Sequence, residues 1–205
     1  MRKLNFIFLA FILTFSVTKY SIADDHMEVS NLQIQLCKLN VGVTMKEYDA
    51  MISEYFQWAK ENDVETFFSR QTALYPHNSF IGAGYDFVEL LNTSHINSGK
   101  GWDKWLGTKS GQKLNARWQK LANCAVKMGA VVPNFINEKA LTEDKDRIAA
   151  WNWCSLNPGV SYEDLLEEHE KRSSMLKENA RGIIGWANLY PRVGMAGARG
   201  DFAHI

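Results

Sequence analysis

The stretch Cys37-Lys38-Leu39-Asn40-Val41-Gly42-Val43-Thr44 returns 117 residues later as Cys154-Ser155-Leu156-Asn157-Pro158-Gly159-Val160-Ser161. Lys60-Glu61-Asn62 returns at the same offset as Lys177-Glu178-Asn179, giving eight identities over 26 gapless positions. After a two-residue deletion, Leu74-Tyr75-Pro76 falls on Leu189-Tyr190-Pro191 and Asp86-Phe87 on Asp201-Phe202. Three blocks repeated in one order mark a structural unit present twice.

In the first copy, residues 32–39 alternate as a strand does, and Asn40 and Gly42 supply a turn. Thr44 then caps a helix whose apolar positions, Tyr48, Met51, Ile52, Tyr55, Phe56 and Ala59, recur every three or four residues and end near Asn62. Strands are expected over residues 65–74 and 85–91, with residues 76–84 turning the chain between them. A helix carrying Trp102, Trp105 and Leu106 runs toward Leu121, and residues 124–132 close the unit as a fourth strand. The order βαββαβ is the split unit that folds as a four-stranded antiparallel sheet with two helices on one face. Right-handed crossovers place strand three between strands one and two, and strand four at the other edge of strand one. The expected architecture is therefore α+β: two ferredoxin-like units in tandem whose sheets pair into a pseudo-dimeric barrel. The first unit spans residues 24–132, a polar linker residues 133–144 and the second unit residues 145–205. Ile205 aligns with Leu90, and 42 residues follow that point in the first copy, so the second unit is expected to be incomplete.

The predicted sheet sets the end of strand one beside the start of strand four, which brings Cys37 and Cys124 within disulfide reach and predicts their pairing. Cys154, the counterpart of Cys37, is then left over. Its partner is expected in the part of the second unit beyond Ile205, and the competing reading is a buried free thiol.

Residues 1–23 read as a secretory leader: Arg2 and Lys3, an apolar run over residues 6–17, and the small-x-small site Ser21-Ile22-Ala23. Twelve apolar residues are too few to span a membrane. Cleavage after Ala23 places the protein in the periplasm or outside the cell, with no membrane association, and three cysteines then meet an oxidising compartment. Arg2, Lys3 and Lys19 leave with the leader, so 20 basic face 23 acidic groups, a balance that speaks against nucleic acid.

These blocks resemble a group of exported marine-bacterial proteins without an assigned activity, themselves similar to tandem dimeric α+β barrel, ferredoxin-like proteins. The residues carrying the resemblance are 37–44, Tyr75-Pro76 and Asp86-Phe87, then 154–161, Tyr190-Pro191 and Asp201-Phe202. It covers nearly all of the mature chain and implies a fold more than an activity. Barrels of this type include cofactor-independent monooxygenases, haem-degrading enzymes and small-ligand binders, and fold does not choose among them.

Polar residues on strands covered on both faces are the candidates for a site. Gln35 and its counterpart Asn152 would face each other across the barrel interior and bind a polar ligand, or else lie on a solvated face. Asp86 and Asp201 would present carboxylates to apolar surroundings, Asp86 as a base and Asp201 toward a ligand, or else serve as turn residues holding backbone N–H groups. Glu89 and His204 occupy equivalent positions and would form an acid and base pair within the barrel. His77 follows Tyr75-Pro76 on a loop at the barrel mouth. Thus His77, Asp86 and Glu89 are the catalytic candidates, and Gln35, Asn152, Asp201 and His204 the ligand-binding ones. Trp102 with Trp105 and Trp151 with Trp153 form stripes that serve either as core or as a stacking surface.

Glu167-Glu168-His169-Glu170 reads as a solvated helix face, since consecutive helical residues cannot share one metal ion. No metal or cofactor motif is present, Gly107-Thr108-Lys109-Ser110 lacks phosphate-loop spacing, and no Gly-x-Ser-x-Gly elbow occurs. The expectation is an exported small-ligand-binding protein without a cofactor. The alternatives are a cofactor-independent monooxygenase-like enzyme and a structural envelope protein. A complete tandem barrel needs no partner, whereas an incomplete one exposes sheet edges and would form oligomers.

Overall fold

A computed structural model describes residues 28–74, 84–143, 146–180 and 182–205. The leader, Tyr75-Pro76 and His77 lie outside the described residues. Twelve elements follow in chain order: β1 (Ser30–Leu39), α1 (Met45–Glu61), β2 (Phe67–Gln71), β3 (Phe87–Thr93), α2 (His95–Gly107), α3 (Lys109–Leu121), β4 (Ala122–Ile136), α4 (Glu138–Glu143), β5 (Asn152–Cys154), α5 (Tyr162–Glu178), β6 (Gly185–Pro191) and β7 (Phe202–His204).

The repeated blocks build the same local structure twice. Gly42 and Gly159 take φ of 83° and 84°, where a Cβ would be strained, and turn the chain out of β1 and β5. Thr44 then caps α1 through a box in which Glu47 N donates to Thr44 Oγ1 and Thr44 N to Glu47 Oε2 at 2.8 Å. Ser161 and Asp164 form the same box at the start of α5.

All strands pair antiparallel in one sheet of order β2-β3-β1-β4-β6-β7-β5. The first four stand in the order expected for the first copy, and β6-β7-β5 repeats β2-β3-β1. β4 joins the two halves: its first ten residues pair with β1, and Gly129–Ile136 pair with β6. Residues 133–136, expected in a linker, therefore continue the strand, and α4 follows them. Pro133 has no N–H to give and sits where the register shifts, between Pro133 and Phe135. The helix expected to run to Leu121 is two helices. They break at Thr108, whose Oγ1 donates to Lys104 O at 2.7 Å and accepts from Gly111 N at 3.0 Å, ending α2 and starting α3. β5 is three residues long.

A flat sheet of this order would hold β2 and β5 about 29 Å apart at ~4.8 Å per strand. Instead Trp151 Nε1, just before β5, donates to Gln71 Oε1, at the end of β2, at 2.9 Å. The sheet is rolled until its edges nearly meet. Its inner face packs Leu32, Ile34, Leu90, Val131, Leu189 and Ala203 into one apolar cluster, with Trp151 and Trp153 against it. Fully burying a leucine such as Leu189 contributes about 2 kcal/mol.

On the outer face α1 packs with α3, over Tyr48, Met51, Phe87 and Leu114. Cys37 and Cys124 stand directly opposite in β1 and β4 and form a disulfide, while Cys154 is free. The bridge closes 87 residues, which removes at most about 4–5 kcal/mol of chain entropy from the unfolded state. Among the described residues no helix is long and apolar enough to cross a membrane.

Candidate functional site

Strand alternation places Asn31, Gln33 and Gln35 of β1, and Glu89, Leu91 and Thr93 of β3, on the outer face of the sheet, under the helices. This corrects the expectation that Gln35 looks into the rolled interior, which Leu32, Ile34 and Leu36 occupy instead. A half-open cavity of about 80 Å³ lies between this polar floor and a roof from α1, α2 and α3. The roof is aromatic: Tyr55, Trp58, Trp102, Trp105 and Trp118, with Phe68 of β2 at the side. A larger space of about 470 Å³ between α1 and α3 is a surface groove walled largely by charged and polar side chains such as Glu54, Glu61, Lys113 and Arg117. The smaller cavity is the better site because it joins apolar walls to inward polar groups.

Glu89 lies at one end of the floor with no exposed surface. Its Oε2 accepts from Tyr48 Oη at 2.9 Å, and Oε1 accepts from Arg70 Nε and Nη2 at 3.1 and 2.9 Å. Tyr48 Oη accepts in turn from Trp118 Nε1 at 3.0 Å, and Arg70 Nη1 donates to Asp49 at 2.6 Å. The guanidinium also stands over the Tyr48, Phe68 and Phe87 rings. Burial lifts the Glu89 carboxyl above its ordinary range, against the Tyr48 and Arg70 bonds that pull it down. Burial pushes the Tyr55 phenol up to about 12 and the Tyr48 phenol higher still, with the Glu89 charge adding to both. For Arg70 the cost of burial is outweighed by Asp49 and Glu89, and it stays charged. The single guanidinium is engaged by two carboxylates, so the network offers an incoming anion no free cation.

The groups left over for a ligand are neutral. Trp102 Nε1 donates to Gln33 Oε1 at 2.9 Å, and Asn31 Nδ2 to Ser98 Oγ at 3.0 Å. The Gln35 amide, on a residue 8% exposed, has no hydrogen-bond partner among the described residues, and neither has the Tyr55 hydroxyl. An amide that both donates and accepts thus stands beneath an aromatic roof.

The other residues expected at a site lie elsewhere. Asp86 and Asp201 are exposed: Asp86 Oδ2 accepts from Leu39 N at 2.9 Å and Asp201 Oδ2 from Leu156 N at 3.1 Å, so both hold the backbone leaving β1 and β5. Neither carboxylate meets the apolar interior. Asn152 is exposed, on the outer face of β5, opposite His204 of β7. Glu89 and His204 do share equivalent outer positions, but under the helices of different halves, so they form no pair within the rolled sheet.

His204 Nε2 instead meets His169 Nε2 at 3.2 Å, and His169 Nδ1 meets Asn188 Nδ2 at 2.9 Å. With Asn188 donating, His169 carries its proton on Nε2 and donates it to His204. His169 is 7% exposed, so the expected solvated face of α5 is corrected at that residue. Trp186 and Phe202 pack edge-on or tilted around the two imidazoles, and Arg172 covers Trp186. Arg70 and His169 are the site and core residues that pattern reading missed, and Tyr48 is read there as an apolar position of the helix without its bond to Glu89. The spacing of His169, Ser173 and Leu176, four and then three, was the available sign of a buried stripe.

No family model matches the chain, and no curated protein matches it. Among solved structures, 50% of the chain is similar to 91% of SnoaB, a cofactor-independent oxygenase from Streptomyces nogalater, at 6% identity and a TM-score of 0.36. So remote a likeness carries no argument about this chain.

Proposed function

We propose that the chain is two ferredoxin-like units in tandem, rolled into a pseudo-dimeric α+β barrel, and that it is an exported protein that binds a small, uncharged, partly aromatic ligand. The unpartnered Gln35 amide at the floor of a tryptophan-lined cavity carries this reading. A neutral ligand fits because Arg70, the one cation at this end of the floor among the described residues, is already engaged by Glu89 and Asp49. The aromatic roof supplies stacking area, and the glutamines set orientation. The Cys37–Cys124 bridge supports maturation in an oxidising compartment.

Four tryptophans line the cavity, so occupancy reads out as intrinsic fluorescence. Titration with a panel of neutral aromatic amides and phenols is expected to quench emission saturably. Gln35→Leu, nearly isosteric, should weaken the best binder by about tenfold, the cost of one lost buried hydrogen bond, with the far-ultraviolet spectrum unchanged. Equal affinity of both proteins for every binder would sink the reading.

A monooxygenase-like activity is the second reading, favoured by the burial-raised carboxyl of Glu89. It requires dioxygen uptake with a bound aromatic substrate that Glu89→Gln abolishes. Against it, both Glu89 oxygens are already engaged. A purely structural envelope protein has no use for an open cavity.

A further inference from the structure

Within this chain, a strand edge equivalent to the outer edge of β5 is already covered. In the first half β1 pairs with β3 on one side, Cys37 opposite Phe87, and with β4 on the other, Cys37 opposite Cys124. In the second half β5 pairs with β7 on one side, Cys154 opposite Phe202, which repeats the Cys37 and Phe87 pair. Asp201 N donates to Cys154 O as Asp86 N donates to Cys37 O. The other side of β5 is an edge of the described sheet.

Three features of that edge repeat those that hold β4 in place. Cys37 is bonded to Cys124, and Cys154 is a free thiol. Asn40 Nδ2 donates to the carbonyls of Gln119 and Lys120, just before β4, while the matching Asn157 amide has no partner among the described residues. β4 is also hydrogen-bonded on both sides, to β1 and to β6, the counterpart of β2. Between β5 and β2 the contact is the side-chain bond of Trp151 to Gln71, with no backbone pairing among the described residues. Side chains of this length bridge the roughly 10 Å that two strands keep when one strand's place lies between them. At this seam the interior is incompletely covered: Trp151 and Trp153 of the β5 segment are half-buried, whereas Leu189, two strands away on β6, has no exposed surface.

From this we infer that the β5 edge is a docking site for an added antiparallel strand of a partner polypeptide built like β4. That strand has small and aliphatic side chains facing the seam and a cysteine opposite Cys154. The inference rests on the barrel reading above but not on the ligand. Docking satisfies the outward backbone groups of β5 and β2 and covers the Trp151–Trp153 seam. The covalent step is thiol–disulfide exchange with a low-molecular-weight disulfide. The Cys154 thiol and the strand's thiol become one protein disulfide, and the small disulfide is reduced to two thiols that carry off both protons.

A synthetic peptide of residues 122–136, the chain's own β4 with its Cys124, is a direct probe. Incubated with the full chain in a glutathione redox buffer, it should add one peptide mass at Cys154, raise the melting temperature, and react about tenfold faster than a scrambled peptide, because docking concentrates the two thiols. A peptide with serine for its cysteine should still raise the melting temperature at saturation, and Cys154→Ser should abolish only the adduct. Equal rates for the native and scrambled peptides would overturn the proposal. So would a Cys154–Cys154 dimer that the peptide cannot compete away, since a second copy then covers the edge. Fluorescence titration of the cavity in the same samples separates this outcome from failure of the ligand reading.

Discussion

Tyr48 donates its hydroxyl hydrogen to Glu89 Oε2 at 2.9 Å while its oxygen accepts from Trp118 Nε1 at 3.0 Å, so one phenol ties α1 to both β3 and α3. Tyr48→Phe keeps the ring and its edge-on contact with Phe87 but leaves a buried carboxylate oxygen and an indole N–H short of a partner. The expected loss is about 1–3 kcal/mol, read as a lower urea midpoint at unchanged slope. A midpoint equal to that of the parent protein would show that water replaces the hydroxyl.

Glu89 makes stability depend on pH with a recognisable sign. Its folded pKa lies above the unfolded value, so the folded chain holds the proton more tightly. Its contribution is therefore full below the unfolded pKa and declines as pH rises through the raised folded value. Glu47 and Asp164, in the capping boxes, act oppositely: backbone bonds hold them low, and their contribution is lost on acidification. Comparison with Glu89→Gln isolates the first effect. The parent protein should lose stability relative to the variant as pH rises above the ordinary glutamate value of 4.5. A pH-independent difference would mean that Arg70 cancels the burial of Glu89.

How far the site is legible in the sequence follows from what alternation can and cannot say. The repeated Cys-x-Leu-Asn-x-Gly-Val-Thr/Ser block dictates turn and cap by local chemistry, so β1 and α1 are readable to within a residue or two, and the Cys37–Cys124 bridge is readable from the strand order. Alternation separates Gln33 and Gln35 from Ile34 and Leu36, yet both faces of β1 are covered, and nothing local says which one meets the helices. Facing the glutamines into the barrel is for that reason the wrong choice of two that look alike in the sequence. Arg70 is invisible to pattern because its meaning depends on standing opposite Glu89, 19 residues on, a pairing set by the register of β2 on β3. His169 is masked by the acidic residues flanking it in sequence, which point away from it in the helix.

The second half carries its own pH dependence. Burial lowers the folded pKa of His169, with His204 and Arg172 adding to it, and burial followed by Arg172 lowers that of His204. Depressed histidines contribute stability that is present above the unfolded pKa of about 6.5 and is lost as pH falls below it. Both imidazoles then charge at a separation of 3.2 Å between their Nε2 atoms, and the bond between them breaks. His204→Asn should therefore lose less stability than the parent between pH 7 and 5, measured as urea midpoints, and the His169 ring resonances should titrate nearer to where a solvated histidine does. Parallel pH profiles of the two proteins would contradict this.

Gly200 tests whether the second half is held as the first is. A Cβ on this residue would meet the Cys154 carbonyl oxygen, with Cys154 C at 2.9 Å and N at 3.1 Å behind it, and all three are backbone atoms with little room to yield. This close approach is what lets Asp201 N reach Cys154 O at 2.9 Å and Asp201 Oδ2 reach Leu156 N at 3.1 Å. Gly200→Ala should push the start of β7 away from β5 and cost about 2 kcal/mol or more, as overpacking against backbone does. Gly197→Ala, three residues earlier and with nothing within 4 Å of where its Cβ would stand, should cost far less. The loss should appear as faster amide exchange across β5 and β7 while β1 and β3 keep their protection, because the clash is local to the second half. Equal cost for the two alanines would mean that β5 lies against β7 more loosely than the Cys154 and Asp201 bonds imply.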